Sequence, residues 1–457
     1  MPSNREKTLT TSPGPKTYPL VGSIPELLKD PFNYFFGAQR EFGDVFPYRI
    51  GSRPLYFVAH PDDIKHVLLD NYKNYRKHTA YDKIKPLVGE GLLTSEGETW
   101  LANRRLAQPV FHRQRIAAFG TLMTDECETM MARWEQFGVG EAFDVSAEMM
   151  RLTLTVVGKA LFSTDLSLEA DEIGDALSFA LEETNRRNLA PFSLPSSLPT
   201  PNNVRYAKAI QALDDVVYGL IAERRNSHED KGDLLSMLLN VQDADTSERM
   251  SDKGLRDEAM TLFLAGHETS ATALSWTFYL LSKHPAVQNA LFREVDQTLE
   301  GRTATVADVP KLTYTRQVVD EALRLYPPAW MIGRHTLAED RLPSGATLDA
   351  DTDVSISPYV THRHPDFWHN PEGFDPERFA PNENKHGVER HRFAYFPFGA
   401  GPRICIGNNF ALLEMVLTLA TVSQRYALDL VGGERGAMQP KITLRPKDGI
   451  YVTLSAR

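Results

Sequence analysis

Residues 251–284 constrain the fold of this chain more than any other stretch. At 1.5 Å per residue they are long enough for one helix of about 50 Å, they stop at Lys283-His284-Pro285, and they are apolar nearly all round. A helix without a polar face has to be enclosed, either by lipid or by the middle of a large domain. Its most apolar part, 262–281, carries His267, Glu268 and Thr269 at its centre, and charge at mid-bilayer depth is costly. The segment therefore reads as a buried core helix whose polar interruption needs a functional reason.

The remaining pattern surrounds such a helix with others. Stripes of helical period recur over 99–111, 114–137, 149–162, 171–185, 285–299, 314–325 and 408–425, and Ile64, Val67 and Leu68 share one face after Pro61. Short β-branched and aromatic runs at 45–50 and 55–58 flank Gly51-Ser52 as a hairpin, and strand-like runs return between Pro328 and about 360, at 441–444 and at 450–454. The expected class is mainly α with a smaller β region. Residues 186–203, with Pro191, Pro195, Pro199 and Pro201, read as a connection or a lid. A length of 457 residues allows about three domains, but no linker or repeat divides the chain, so the expectation is a flexible tail over 1–15 and one folded unit over 16–457.

Fifty Lys and Arg against sixty Asp and Glu give a net charge of −10, which argues against a sequence-independent grip on nucleic acid or an anionic membrane. The first residues are polar and Pro-rich, with neither a spanning helix nor a secretory signal. Two cysteines far apart, in no paired spacing, suit a reducing cytoplasm.

The chemistry concentrates in Phe398-Gly-Ala-Gly-Pro-Arg-Ile-Cys-Ile-Gly407. Three glycines and a proline compact a loop just before a helix, where inward N–H groups and the helix N-terminus stabilise a thiolate, both a nucleophile and a soft iron ligand. Cys127, inside an amphipathic pattern, has no such context and reads as a small core residue.

F-G-x-G-x-R-x-C-x-G resembles the ligand loop of the cytochrome P-450 family, the haem-thiolate monooxygenases. The resemblance implies haem b as cofactor, held between the long central helix and the cysteine-loop helix, with Cys405 as axial ligand to iron and Phe398, Gly399 and Arg403 in the loop. Ala265-Gly-His-Glu-Thr269 resembles the family's oxygen-activating stretch. A Gly permits close approach and a Thr hydroxyl can bond the carbonyl one turn back and open a kink; by resemblance Ala265 and Gly266 border the cofactor, Thr269 bonds the iron-bound oxygen, and Glu268 relays protons. Glu321-Ala-Leu-Arg324 and Pro376-Glu-Arg-Phe379 resemble the pair and loop whose Glu321, Arg324 and Arg378 form a buried structural triad. By the same resemblance Arg104, in a W-x-x-x-R pattern with Trp100, would join Arg334 and Arg403 in supplying cations for the two haem propionates. Helix phase leaves open which of Arg104 and Arg105 points inward, and Asn103 departs from the His or Arg common in relatives.

The match covers roughly residues 15–455. It implies that dioxygen is split with two electrons and two protons and that one oxygen atom enters a C–H or C=C bond. Electrons come from a ferredoxin or flavodoxin-type donor with its reductase, docking where Arg105, Arg113, Arg115, Arg390 and Arg392 supply positive charge. Positions matching the family's pocket are Tyr81, Ile84, Leu87, Val88, Leu92, Phe192, Leu194, Phe263, Ala265, Ala329, Trp330, Met331, Ile332 and Ile442. Almost all are apolar, so the expected substrate is lipophilic, terpenoid or fatty-acyl. The alternatives are a hydroxylase of polyketides or other secondary metabolites, a peroxide-driven peroxygenase, a haem-thiolate gas sensor, and a Cys-nucleophile hydrolase for which no His base is evident.

Overall fold

The structure, a computed structural model, describes residues 13–138, 140–164, 176, 179–184, 186–187, 198–227, 230–242, 249–380, 390–432 and 436–457. The central helix is Asp252–Lys283, capped by the Ser251 hydroxyl, which accepts the Gly254 N–H, and ended at His284 before Pro285. Most of its residues are buried. The helix Val145–Phe162 lies against it closely enough that a Cβ on Gly266 would sit 2.9 Å from Val157 Cγ2, and the Thr153 hydroxyl donates to His267 O at 2.9 Å. Gly120–Trp134, Pro285–Leu299, Thr313–Leu325 and Asn408–Arg425 complete the surrounding layer and share one hydrophobic core with it. Among the described residues no helix is long and apolar enough to cross a membrane.

The β region is built mainly on a five-stranded sheet ordered Val45–Ile50, Arg53–Val58, Asp353–Ile356, Ile332–Thr336, Tyr75–Lys77. The hairpin is as expected, but Arg53–Val58 also pairs in parallel with Asp353–Ile356, nearly 300 residues later. The outer pairing is antiparallel and sets Lys77 directly opposite Arg334.

Three local expectations change. The segment 114–137 is two helices, Arg113–Ala117 and Gly120–Trp134; at the break Gly120 approaches Val306 so closely that a Cβ would stand 2.1 Å from its Cγ2. Pro201–Ser227 and Leu234–Asn240 are helices that the apolar pattern does not announce. The first shows only a thin buried stripe of Tyr206, Ala209, Leu213, Val217 and Ile221 beneath a mostly polar surface, too narrow to register as a core face. The strand expected over 441–444 is a turn between Met438–Pro440 and Leu444–Pro446, because Thr443 turns inward to a buried carboxylate described below. Phe192 and Leu194, with Pro191 and Pro195, lie outside the described residues.

Candidate functional site

The cysteine loop is held at both ends and in its middle. Ahead of it, the Phe396 N–H donates to Nε2 of buried His362 at 2.9 Å, which requires a neutral ring; burial, then Arg324, keep that imidazole far below its ordinary pKa. Gly399 and Gly401 adopt φ of +69°, and a Cβ on Gly401 would fall 1.8 Å from Leu68 O, so glycine is obligatory there on two grounds. The Cys405 N–H closes the loop on Phe398 O at 2.9 Å. Burial pushes the Cys405 thiol up, against the Gly407 N–H and the charges of Arg104 and Lys77. The side chain is nevertheless accessible: enclosed by protein on most sides, it faces an internal hollow.

Cations gather beside that hollow. Arg403 donates to Ser95 O at 2.8 Å and to Glu96 Oε2, and its guanidinium lies 4.1 Å from the centre of the Trp100 ring. Arg104 donates to Ile404 O at 3.0 Å, whereas Arg105 is exposed; the inward member of the pair is Arg104. Asn103 turns the other way and donates to Glu90 O. Arg334 is 7% exposed and donates to the carbonyl of its own neighbour Gly333 at 2.9 Å. Lys77, which sequence reasoning did not single out, stands across the strand pair from Arg334 with its ammonium over the Tyr81 ring at 4.7 Å. Like charges directly opposite on adjacent strands repel. Burial, then Arg334 and Arg403, hold the Lys77 ammonium well below its ordinary pKa, and burial brings Arg403 down to about 10 with Glu96 opposing. Three enclosed cations share the single carboxylate of Glu96. That arrangement fits a ligand bringing two further negative charges, such as the propionates of a haem.

On the opposite side, Ala265 is exposed in the middle of an otherwise buried helix, so the central helix also borders a hollow. The Thr269 hydroxyl donates to Ala265 O, one turn back, at 2.6 Å, and the helix is continuous through this point. Glu268 points toward the C-terminal turn. Arg445 Nε donates to its Oε1 at 2.6 Å and Thr443 donates to the same oxygen. Burial works to raise this carboxyl, but Arg445 and Thr443 outweigh it and leave it below its ordinary value. A small pocket lined by Leu181, Glu182, Glu268, Lys441, Ile442 and Arg445 joins the pair to the surface, where Lys441 meets Glu182 at 3.1 Å. His267 is buried and pushed down to about 4, hence neutral.

The three structural candidates meet. Arg324 grips Glu321 with two bonds of 2.7 and 2.8 Å, and Arg378 Nε reaches the same carboxylate at 3.3 Å. Of the pocket candidates, Ile84, Leu87, Val88 and Phe263 are buried in the main core and Leu92 packs on it. Ile332 Cδ1 comes within 3.8 Å of a Cβ built on Gly399, and Ala329 is half-buried just upstream. Trp330 and Met331 pack toward the N-terminal part of the chain, the indole edge-on to Phe32 and donating to Lys441 O. Ile442 is 38% exposed. Among the proposed docking cations, Arg113 and Arg115 are exposed, while Arg390 is spent on the faces of Trp368, Phe379 and Tyr395. Lys77, Glu96, Thr443, Arg445 and His362 carried no local sequence signal; register and chain return bring each into place.

Comparison with known proteins agrees with this geometry. The cytochrome P-450 family profile matches residues 12–454. Cyclooctatin synthase of Streptomyces melanosporofaciens is 38% identical over 445 residues, 97% of this chain and 95% of that protein. Cyclooctat-9-en-7-ol 5-monooxygenase of the same organism is 38% identical over 94% of this chain and 92% of its own length. Pentalenene oxygenase of Streptomyces avermitilis is 33% identical, covering 96% and 94%. Among solved structures, the cytochrome P450DA heme domain superposes with a TM-score of 0.88 at 29% identity, covering 97% of both chains. From its glycine-bound cysteine loop, its acid-alcohol central helix and these full-length matches, the chain belongs to the cytochrome P-450 family and is a monooxygenase.

Proposed function

We propose that this protein inserts one oxygen atom from O2 into a terpenoid, by hydroxylation or epoxidation, with residues 16–457 acting as one haem-thiolate domain. The observation that carries this is the run of relatives matched over nearly their full length, whose names place their oxidations on cyclooctatin-type and pentalenene skeletons. The partly buried apolar side chains of Leu92, Ala329 and Ile332 favour such a substrate. A fatty acid would need a cation for its carboxylate, and the two cations flanking Ile442 are already paired, Lys441 with Glu182 and Arg445 with Glu268.

Haem b, when bound, supplies the iron on which dioxygen is reduced with two electrons and two protons. Cys405 would hold the iron as a thiolate, its proton leaving on coordination, with Arg104, Lys77 and the Gly407 N–H favouring the anion. Arg334, Arg403 and Lys77 would pair the propionates, and Trp100 would fix the Arg403 plane. Thr269 would present its hydroxyl to the oxygen side, and Glu268 would bring protons to it once Arg445 releases the carboxylate. A ferredoxin or flavodoxin would dock near Arg113 and Arg115. Two free thiols suit a cytoplasmic protein.

The test is the absorption spectrum of reduced protein under carbon monoxide beside Cys405→Ser, followed by titration with terpenes, fatty acids and polar polyketides. A strongly red-shifted Soret band lost in the variant, and a substrate-type shift with terpenes, are expected. A shift with polyketides alone would replace the substrate class. Turnover with peroxide and no reductase would replace the electron source.

A further inference from the structure

Two neighbouring acids in the first half of the central helix face a loop that carries no catalytic group. Glu258 is fully buried and Asp257 is 3% exposed. Among the described residues no cation acts on Glu258; it accepts the Leu92 N–H, on Oε2 at 2.8 Å and on Oε1 at 3.3 Å. Asp257 accepts the Glu90 N–H at 2.9 Å. Its charge is balanced by Lys253 at 2.5 Å and Arg256 at 3.1 Å, and Arg256 is itself anchored to Asp214 of Pro201–Ser227 through Nε at 2.7 Å. The nearby Thr261 hydroxyl is buried without a partner and shares none of this work.

The loop is shaped to be gripped. Gly89 has φ of +66°, and a Cβ there would collide with the Asp257 carboxylate. A Cβ on Gly91 would collide with Thr261 Oγ1 and stand 2.7 Å from Asp257 O and 2.8 Å from Glu258 Oε2, so only glycine lets this backbone lie against the helix. The Thr94 hydroxyl braces the loop on Gly89 O at 2.5 Å, and the Thr94 and Ser95 N–H groups donate to Gly91 O at 3.1 and 2.9 Å. At the far end Ser95 O and Glu96 are taken by Arg403, beside the cysteine hollow. Between these two fixed points Leu92 and Leu93 pack on the main core and keep part of their surface open. A buried acid without a cation is costly, and a leucine would fill the same space with no such penalty; what the acid adds is the placing of one residue, Leu92.

We infer that Asp257 and Glu258 are positioning residues that hold the 89–96 loop so that Leu92 stands as a fixed wall of the substrate hollow, and that they thereby set how large apolar molecules fit there. The inference deepens the oxygenase reading and rests on it. Burial pushes the Glu258 carboxyl up to about 8, against the Leu92 N–H and together with the Asp257 charge. Near neutral pH the group is therefore mostly a neutral acid that accepts the N–H through its carbonyl oxygen, a form that Gln copies.

The test titrates holoenzyme with two iron-binding probes, imidazole, too small to reach the wall, and clotrimazole, whose aryl rings fill the hollow, each followed by the shift of the Soret band. Glu258→Leu, which orphans the Leu92 N–H, should lower the affinity for clotrimazole relative to imidazole by at least about fivefold, since the aryl rings lose an apolar neighbour. Gly91→Ala, which lifts the same backbone and leaves both acids in place, should do likewise, and Glu258→Gln should keep the wild-type ratio. Leu92→Ala should lower the ratio too, and combining it with Glu258→Leu should lower it little further, because the acid acts through that side chain. Urea midpoints of the same variants report stability separately; a merely structural role would move the midpoint and leave the ratio. If Glu258→Leu does not retain haem, Gly91→Ala decides. A ratio that falls in neither variant, falls as far in Glu258→Gln, or is fully additive with Leu92→Ala overturns the inference. A wild type without the red-shifted carbon monoxide band would instead overturn the oxygenase reading.

Discussion

Replacing Arg324 by Met would remove a guanidinium that uses every one of its five N–H donors. Two bonds go to Glu321 and three to the carbonyls of His362, Pro371 and Gly373, and the side chain has no exposure. After the substitution Glu321 keeps only Arg378 and the Asp375 N–H. Breaking a buried pair in this way costs about 3–5 kcal/mol, a large part of a total stability of about 5–15 kcal/mol. The orphaned carbonyls push the expectation to the upper end, about 5 kcal/mol, with partial relief where water enters. Urea unfolding, followed by far-ultraviolet dichroism and by haem absorption on the same samples, measures the loss as a fall in midpoint. Glu321→Met alone should cost a comparable amount, but Arg324→Met with Glu321→Met should cost clearly less than the sum, because no uncompensated charge remains. A loss below about 1 kcal/mol, the scale of an exposed pair, or strict additivity in the double variant, would refute the reasoning.

Other measurements probe the site. Arg445→Met removes the cation that holds Glu268 below its ordinary value against burial; a depressed carboxylate contributes stability above its unfolded pKa of about 4.3 and loses it as pH falls through the folded value. The variant should therefore be destabilised more at pH 7 than at pH 4 in urea titrations, and an equal loss at both would count against the pair. Lys77 is depressed by burial and by its neighbouring arginines, so the haem-free chain binds fewer protons than an unfolded one between that lowered value and about 10.5, and its stability rises with pH there. Pairing with propionates should reverse this, and calorimetry of haem binding in buffers of different ionisation heat should show net proton uptake at alkaline pH. Thr269→Ala should retain haem yet divert electrons to peroxide, as read by comparing NADPH consumed with product formed; unchanged coupling would remove Thr269 from proton delivery.

The parts of the fold legible from sequence are those whose signals are local. The central helix, the cysteine loop and the helix after it are read from apolar runs, prolines and glycines, and their bounds fall within a residue or two of Asp252–Lys283 and Asn408–Arg425. Pro201–Ser227 escaped because its buried stripe is narrow. The buried pairing of Glu321 with Arg324 has the same i, i+3 spacing as any surface bridge; only the packing of the loop around Asp375 and Arg378 makes it interior.

Sequence alone determined the chemistry available: one cysteine in a loop that glycine must build, and an acid beside an alcohol inside a helix that has to be buried. Tertiary structure decided how those groups are charged. Lys77 faces Arg334 only because two strands more than 250 residues apart pair in one register. Glu268 is clamped only because the chain returns at Thr443 and Arg445. Glu414 is buried only because the helices around it close over it. Electrostatic state depends on what stands within a few ångströms in space and on how much water is left there, and neither quantity is written along the chain.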